Sequence, residues 1–248
     1  MHLLRTEFQD CSTIVKMSIV QRRLRSWSFV AVFALVTVSA QLFSQASSSS
    51  SSSQHVRKVA PAANSALDAG SVSGGVYHNK SLGLSCKIPA GWVLRTEEMN
   101  SRDAAEDDSG TTSPAKTDSA GRVLLAAFSR PPEARAEDVN SSIVIAAESV
   151  ATYPGLKEAA QYFGPLSEVA KAQGVAVVEE PYDFAVGTRT LAREDFQKDV
   201  GSRVMRQSTL VMLAHGWAVS ITFIGGTEDE VEELIGGLSF AAAAKTAK

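Results

Sequence analysis

The stretch Arg203–Ile224, RVMRQSTLVMLAHGWAVSITFI, carries the clearest structural signal in the chain. Trp217, Val219, Ile221 and Phe223 alternate with Ala218, Ser220 and Thr222, the two-residue period of a strand with one face in a core. Arg203–Ala214 is a second apolar segment of strand length. His215-Gly216 separates the two, at the place where Asn-Gly would make a two-residue turn. Histidine is among the residues that tolerate a positive φ, so the stretch predicts a long antiparallel hairpin and gives His215 a turn role, with a site as the alternative.

Working outward, Thr227-Glu-Asp-Glu230 reads as a capping box, and Val231, Leu234, Ile235 and Leu238 supply the apolar stripe of the helix behind it. Its acidic first turn suits the helix dipole. Upstream, Thr188–Phe196 and Val175–Glu179 read as strands. Before them Leu156, Ala159, Ala160, Phe163, Leu166, Val169 and Ala170 recur at helical spacing, with Gly164-Pro165 expected to break the helix in two. Ser142–Ala147 and Arg122–Phe128 are further strands. Glu97–Gly121 is polar and acidic, which predicts a long loop. Leu82, Leu84, Cys86 and Ile88 alternate with Gly83, Ser85 and Lys87, a half-buried strand that Pro89-Ala-Gly91 ends before Trp92-Val-Leu94 begins another. Strands joined mostly by hairpins, with helices in the middle and at the end, predict an α+β fold in which a curved antiparallel sheet is flanked by helices. Trp92 and Trp217 are assigned to its core.

The N-terminal segment reads as an address. Arg22, Arg23 and Arg25 precede the apolar run Trp27–Leu42, and small residues at Ser44 and Ala46 fit signal-peptidase cleavage, with Val38 and Ala40 a second option. Residues 1–46 are therefore expected to be a signal peptide, which Met17 could equally begin, and an uncleaved membrane anchor is the alternative. No cysteine stands at the end of the run, which rules out a lipoprotein attachment. The serine tract Ser47–Ser53 and the residues up to Gly75 have the composition of a disordered linker. The folded domain is expected over 76–241, and 242–248 as a disordered tail. Cleavage removes Arg5, Lys16, Arg22, Arg23 and Arg25 together with Glu7 and Asp10, shifting the formal net charge from −3 to −6. An acidic exported domain without a basic stripe is a poor partner for nucleic acid or anionic lipid.

The chain offers little catalytic vocabulary. Cys11 lies in the address, which leaves Cys86 without a partner for an internal disulfide. Its apolar neighbours predict a buried, inert thiol rather than a nucleophile. His55 falls in the linker, and His78 sits in the polar stretch Tyr77–Lys80, not at ligand spacing from His215. Zinc-binding HExxH or CxxC patterns, a Gly-x-Ser-x-Gly elbow and a Walker loop are absent from the sequence. Gly225-Gly226 precedes a helix, but Thr227 and the acids beside it occupy and oppose an anion there. Asp103, Glu106, Asp107 and Asp108 lack the ordered spacing of a calcium loop. Arg189, Arg193, Arg203 and Arg206 are expected on a solvated surface, paired with Glu194, Asp195 or Asp199. Unpaired, they would instead be a patch for an acidic partner. No catalytic, cofactor-binding or metal residue is assigned.

Tyr77-His-Asn-Lys80, Leu84-Ser-Cys-Lys-Ile-Pro-Ala-Gly-Trp92, Gly187-Thr-Arg-Thr-Leu-Ala-Arg193, Gly216-Trp-Ala-Val-Ser-Ile-Thr-Phe223 and the closing Leu238-Ser-Phe240 follow one another in an order that resembles the PsbP-like superfamily. That group includes the lumenal extrinsic subunit of photosystem II, a eukaryotic Ran-binding protein and many bacterial envelope proteins. The resemblance implies an α/β/α sandwich without transferable catalytic residues, in a group of binding, assembly or chaperone-like modules. The expectation is an exported, non-enzymatic domain, periplasmic or extracellular, that binds or helps assemble another envelope protein. A small-ligand binder or hydrolase with a pocket between sheet and helices, and a structural cell-surface spacer, are the alternatives.

Overall fold

The structure is a computed structural model that describes residues 67–107, 121–131, 134 and 138–241. In chain order the strands are β1 (Ser71–Ser73), β2 (Val76–Asn79), β3 (Leu84–Lys87), β4 (Val93–Leu94), β5 (Arg122–Phe128), β6 (Ser142–Ser149), β7 (Ala176–Val186), β8 (Arg189–Val200), β9 (Arg203–Ala214), β10 (Trp217–Gly225) and β11 (Leu238–Phe240). The helices are α1 (Thr96–Asp107), α2 (Phe163–Ala172) and α3 (Glu228–Gly236), with a 3₁₀ turn at Ala159–Tyr162 before α2. Among the described residues the strands form two antiparallel sheets, β1-β2-β3-β11 and β4-β5-β6-β10-β9-β8-β7.

The hairpin that opens the sequence argument lies at the centre of the larger sheet. β9 and β10 pair from Trp217 opposite Ala214 to Gly225 opposite Arg206. His215 and Gly216 close it with φ of 53° and 82°, the doubly left-handed turn whose twist matches that of the strands. Strand β6 lies against the other side of β10, with Ile145 opposite Ile221.

Because side chains alternate, the larger sheet has two differently built faces. On the first, Trp217, Val219, Ile221 and Phe223 join Ile143, Ile145, Leu210, Met212 and Leu191 beneath Tyr77, Leu84, Cys86 and Leu238 of the small sheet and Val231, Leu234 and Ile235 of α3. The second face is covered by Tyr162, Phe163, Leu166 and Ala170, which pack on Ala192, Phe196, Val211, Ala218 and Ile224. Farther along it, Met99 of α1 meets Val123, Ala126 and Val144. The α+β expectation holds, with helices on both faces and the small sheet sharing one layer with α3.

Four local expectations change. Leu67 is buried and Ser71–Ser73 pairs with β2, so the fold begins inside the stretch assigned to the 47–75 linker. Asn79 ties this segment down, since its side-chain amide donates to the Asp68 carbonyl at 2.7 Å. The first half of the Glu97–Gly121 loop is helical, and residues 108–120 lie outside the described residues: Thr96 Oγ1 accepts from the Ala126 amide at 2.9 Å, and Asn100 exchanges two hydrogen bonds of 2.9 Å with Val123. These anchors supply the tertiary support that a weakly apolar helix needs. Pro165 does not split α2 but lies in its first turn, where a missing N–H breaks no intrahelical bond. At α3 the Thr227 hydroxyl accepts from the Glu230 amide at 3.2 Å, but the Glu230 carboxylate accepts from the Gly226 amide at 2.8 Å instead of returning to Thr227. The segments expected to be a signal peptide (1–46), a linker (up to residue 66) and a tail (242–248) lie outside the described residues.

Candidate functional site

The chemistry of this domain gathers on β8. Arg193, Glu194 and Asp195 are consecutive in the middle of that strand, so their side chains go to alternate faces of the sheet. The Arg193 side chain enters the first face and is only 7% exposed. Its Nε donates to the two Asp195 carboxylate oxygens at 3.0 and 3.1 Å. Its Nη2 donates to Ser208 Oγ at 3.0 Å and to Glu232 Oε1 of α3 at 2.5 Å. The Ser208 hydroxyl also donates to Asp195, and the Tyr182 hydroxyl donates to Asp195 Oδ2 at 3.0 Å. The guanidinium lies 4.8 Å from the Phe184 ring centre and 5.9 Å from that of Tyr182, within cation–π range. Burial alone would lower the Arg193 pKa, but its hydrogen bonds to Glu232 and Asp195 raise it on balance. Burial first and the Asp195 charge second push the Tyr182 hydroxyl up to about 12. The cluster is a clamp between α3 and the sheet in which one buried cation is shared by two carboxylates.

Glu194 enters the second face and is 1% exposed. Ser167 of α2 donates its hydroxyl to the carboxylate, 2.8 Å from each oxygen, and among the described residues no cation forms an ion pair with it. Burial, offset in part by Ser167, pushes the carboxyl up to about 7. Thr209 is directly opposite Glu194 on β9, and Thr222 is opposite Thr209 on β10, their hydroxyls 3.1 Å apart. Gln207 donates to Thr209 at 3.1 Å, while its buried Oε1 has no partner among the described residues. A polar row therefore crosses an otherwise apolar face under α2.

The residues singled out by sequence are placed elsewhere. Cys86 is fully buried in the first core, and burial pushes its thiol up to about 12. At neutral pH the thiolate that would react is scarce. Native protein is therefore expected to resist a maleimide that labels Cys86 rapidly in denaturant, as intact-mass measurement would show. His78 is exposed on β2 with Nδ1 2.9 Å from Ser85 Oγ, whereas His215 occupies the β9–β10 turn of the other sheet. Gly226 points its amide at the Glu230 carboxylate, which takes the place an anion would need. Arg206 donates to Gln197 at 3.3 Å. Arg189 donates to the Leu82 carbonyl at 3.3 Å and lies 4.9 Å from the Phe240 ring centre. The solvated arginine surface expected from sequence is thus corrected at Arg193, which is buried and paired inside the fold. The acids Asp103, Glu106 and Asp107 lie on α1 with side chains outside the described set, as does Asp108 entirely. Trp217 is in the first core and Trp92 packs against it.

Sequence reading missed Glu194, Ser167, Ser208, Tyr182 and Glu232 as members of interior clusters. The available signal was three ionisable residues in succession inside a strand pattern, which forces charge onto both faces of a sheet.

No protein-family profile matches the chain, and no curated protein sequence matches it. The resemblance to the PsbP-like superfamily therefore rests on the motifs alone. Solved structures do show likeness. A Pseudomonas aeruginosa protein of unknown function, PA94, described as a candidate regulator, is 15% identical with a TM-score of 0.32, over 49% of this chain and 78% of its own. LpqN of Mycobacterium tuberculosis, described as involved in cell envelope biogenesis, is 12% identical with a TM-score of 0.32, over 64% of this chain and 83% of its own. A Bacteroides thetaiotaomicron protein is 13% identical with a TM-score of 0.28, over 64% of this chain and 45% of its own. At these values the similarities carry no functional argument.

Proposed function

We propose that the domain is an exported, non-enzymatic binding or assembly module of the cell envelope. One observation carries the reading: among the described residues, Arg193, Cys86 and His215 are engaged by the fold itself. Arg193 clamps α3 to the sheet, Cys86 fills the first core and His215 makes a turn. What the domain presents to solvent is surface. Export is supported by the basic cluster Arg22–Arg25 ahead of the apolar run, and among the described residues no helix is long and apolar enough to cross a membrane. The outer edge strand β7 carries Pro181, two breaks in register and the acids Glu179, Glu180 and Asp183. These features oppose strand addition, so partner contacts fall to faces and loops. Mild crosslinking in the native host, followed by intact-mass analysis, should recover a species that begins near Ser47 joined to one envelope protein. Repeated recovery without a specific partner sinks the proposal.

A small-ligand binder is the second reading, and the polar row with the unpartnered Gln207 Oε1 under α2 favours it. A ligand panel that raises the melting temperature in wild type but not in Gln207→Leu would move the assignment there.

A further inference from the structure

We propose that Glu194 and Ser167 form a pH-dependent latch that holds α2 on the sheet in acid and loosens it as pH rises to neutrality. Among the described residues, α2 has one polar point of attachment to this face. Ser167 is buried, lies near the middle of α2, and places its hydroxyl on the Glu194 carboxyl at 2.8 Å from both oxygens. The remaining contacts of α2 with this face are apolar: Phe163, Leu166 and Ala170 on Ala192, Phe196 and Val211. Lifting α2 therefore hydrates the Glu194 carboxyl; Glu148 of β6, the other buried carboxylate on this face, accepts from the Tyr153 hydroxyl and not from α2.

The surroundings set the direction of the response. From α2, Ser167 and Lys171 favour the charged carboxylate; Glu180 of β7 and Asp195 of β8 oppose it. Glu168, Glu158 and Tyr162 are the other titratable groups on α2 and the 3₁₀ turn. β9 and β10 present the uncharged Thr209, Gln207 and Thr222. Burial dominates, which keeps the proton on the closed form up to about pH 7, whereas a hydrated glutamate releases it near 4.5. Below the lower value both forms are neutral and the latch is at full strength. Between the two values the closed form holds a proton that the open form has lost, so rising pH favours opening. Above about pH 7 both are ionised and the loss is complete.

Loosening α2 would uncover Phe196, Val211 and Ala218, which gives a binding module an apolar surface whose exposure follows pH. Amide exchange of Phe163–Ala172, corrected for the intrinsic rate at each pH, tests this on the intact protein. Between about pH 5.5 and about pH 8, protection of α2 in wild type should fall on the order of tenfold relative to β10, the scale set by linkage. In Glu194→Gln it should stay level. A wild type without the fall, or a variant that keeps it, overturns the latch. The Glu194 side-chain ¹³C carboxyl resonance provides a reading that needs no variant. A midpoint near 7 supports the proposal, and one near 4.5 overturns it.

Discussion

Replacement of Phe223 by alanine is expected to destabilise the domain by about 3–5 kcal/mol, the range for deleting a buried aromatic ring. Phe223 is fully buried on the central strand β10, flanked by β6 and β9 and beneath the layer of α3 and the small sheet. Neighbours held by two ladders cannot move in to fill the space, so the cavity term stays in force. The loss is a large share of the roughly 5–15 kcal/mol that keeps ordinary domains folded. Urea denaturation followed by tryptophan fluorescence reads the change as a shift in midpoint at constant slope. Ile221→Val, which removes one methylene next door, should cost about 0.5–1.5 kcal/mol. A Phe223→Ala loss no larger than that of Ile221→Val would mean that the first core is not packed as described.

Arg193→Met is the second large effect. Removing one partner from a buried charged cluster commonly costs about 3–5 kcal/mol, because the remaining charges stay desolvated. Glu232 is 46% exposed, so water screens part of the penalty and the lower end of that range applies. Without the guanidinium, Asp195 keeps its hydrogen bonds from Tyr182 and Ser208 but shares the site with a second carboxylate. Urea titrations of wild type and variant read the loss as a shift in midpoint at constant slope. Adding Asp195→Asn and Glu232→Gln to Arg193→Met should restore part of the loss, since it removes the stranded charges. A triple variant no more stable than Arg193→Met alone would show that Arg193 contributes only packing.

Both effects arise from residues that the sequence treats differently. Phe223 was legible, because its alternation with Ala218, Ser220 and Thr222 is a period that only a strand produces. The same rule placed Cys86 in a core, the His-Gly pair between two strands made His215 a turn residue, and the structure has both there. Arg193 was misread as surface because its charge is the strongest local cue. Nothing nearby in the chain shows that Glu232 will arrive from a helix 39 residues away. Helix α1 was missed for a related reason: its sequence is polar, and its anchors to Val123 and Ala126 lie across the acidic segment.

The sequence by itself determined the alternating strands, the hairpin at His215-Gly216, the amphipathic helices α2 and α3, and the absence of familiar catalytic motifs. These follow from local backbone preference and side-chain periodicity, which act over a few residues. Tertiary structure alone decided that the described residues form two sheets, that Leu67 and β1 belong to the fold, and that Arg193 and Glu194 are buried back to back on one strand. Each of these depends on which surfaces meet. Desolvation and pairing energies are set by neighbours brought together from distant parts of the chain, so they have no local signature to read.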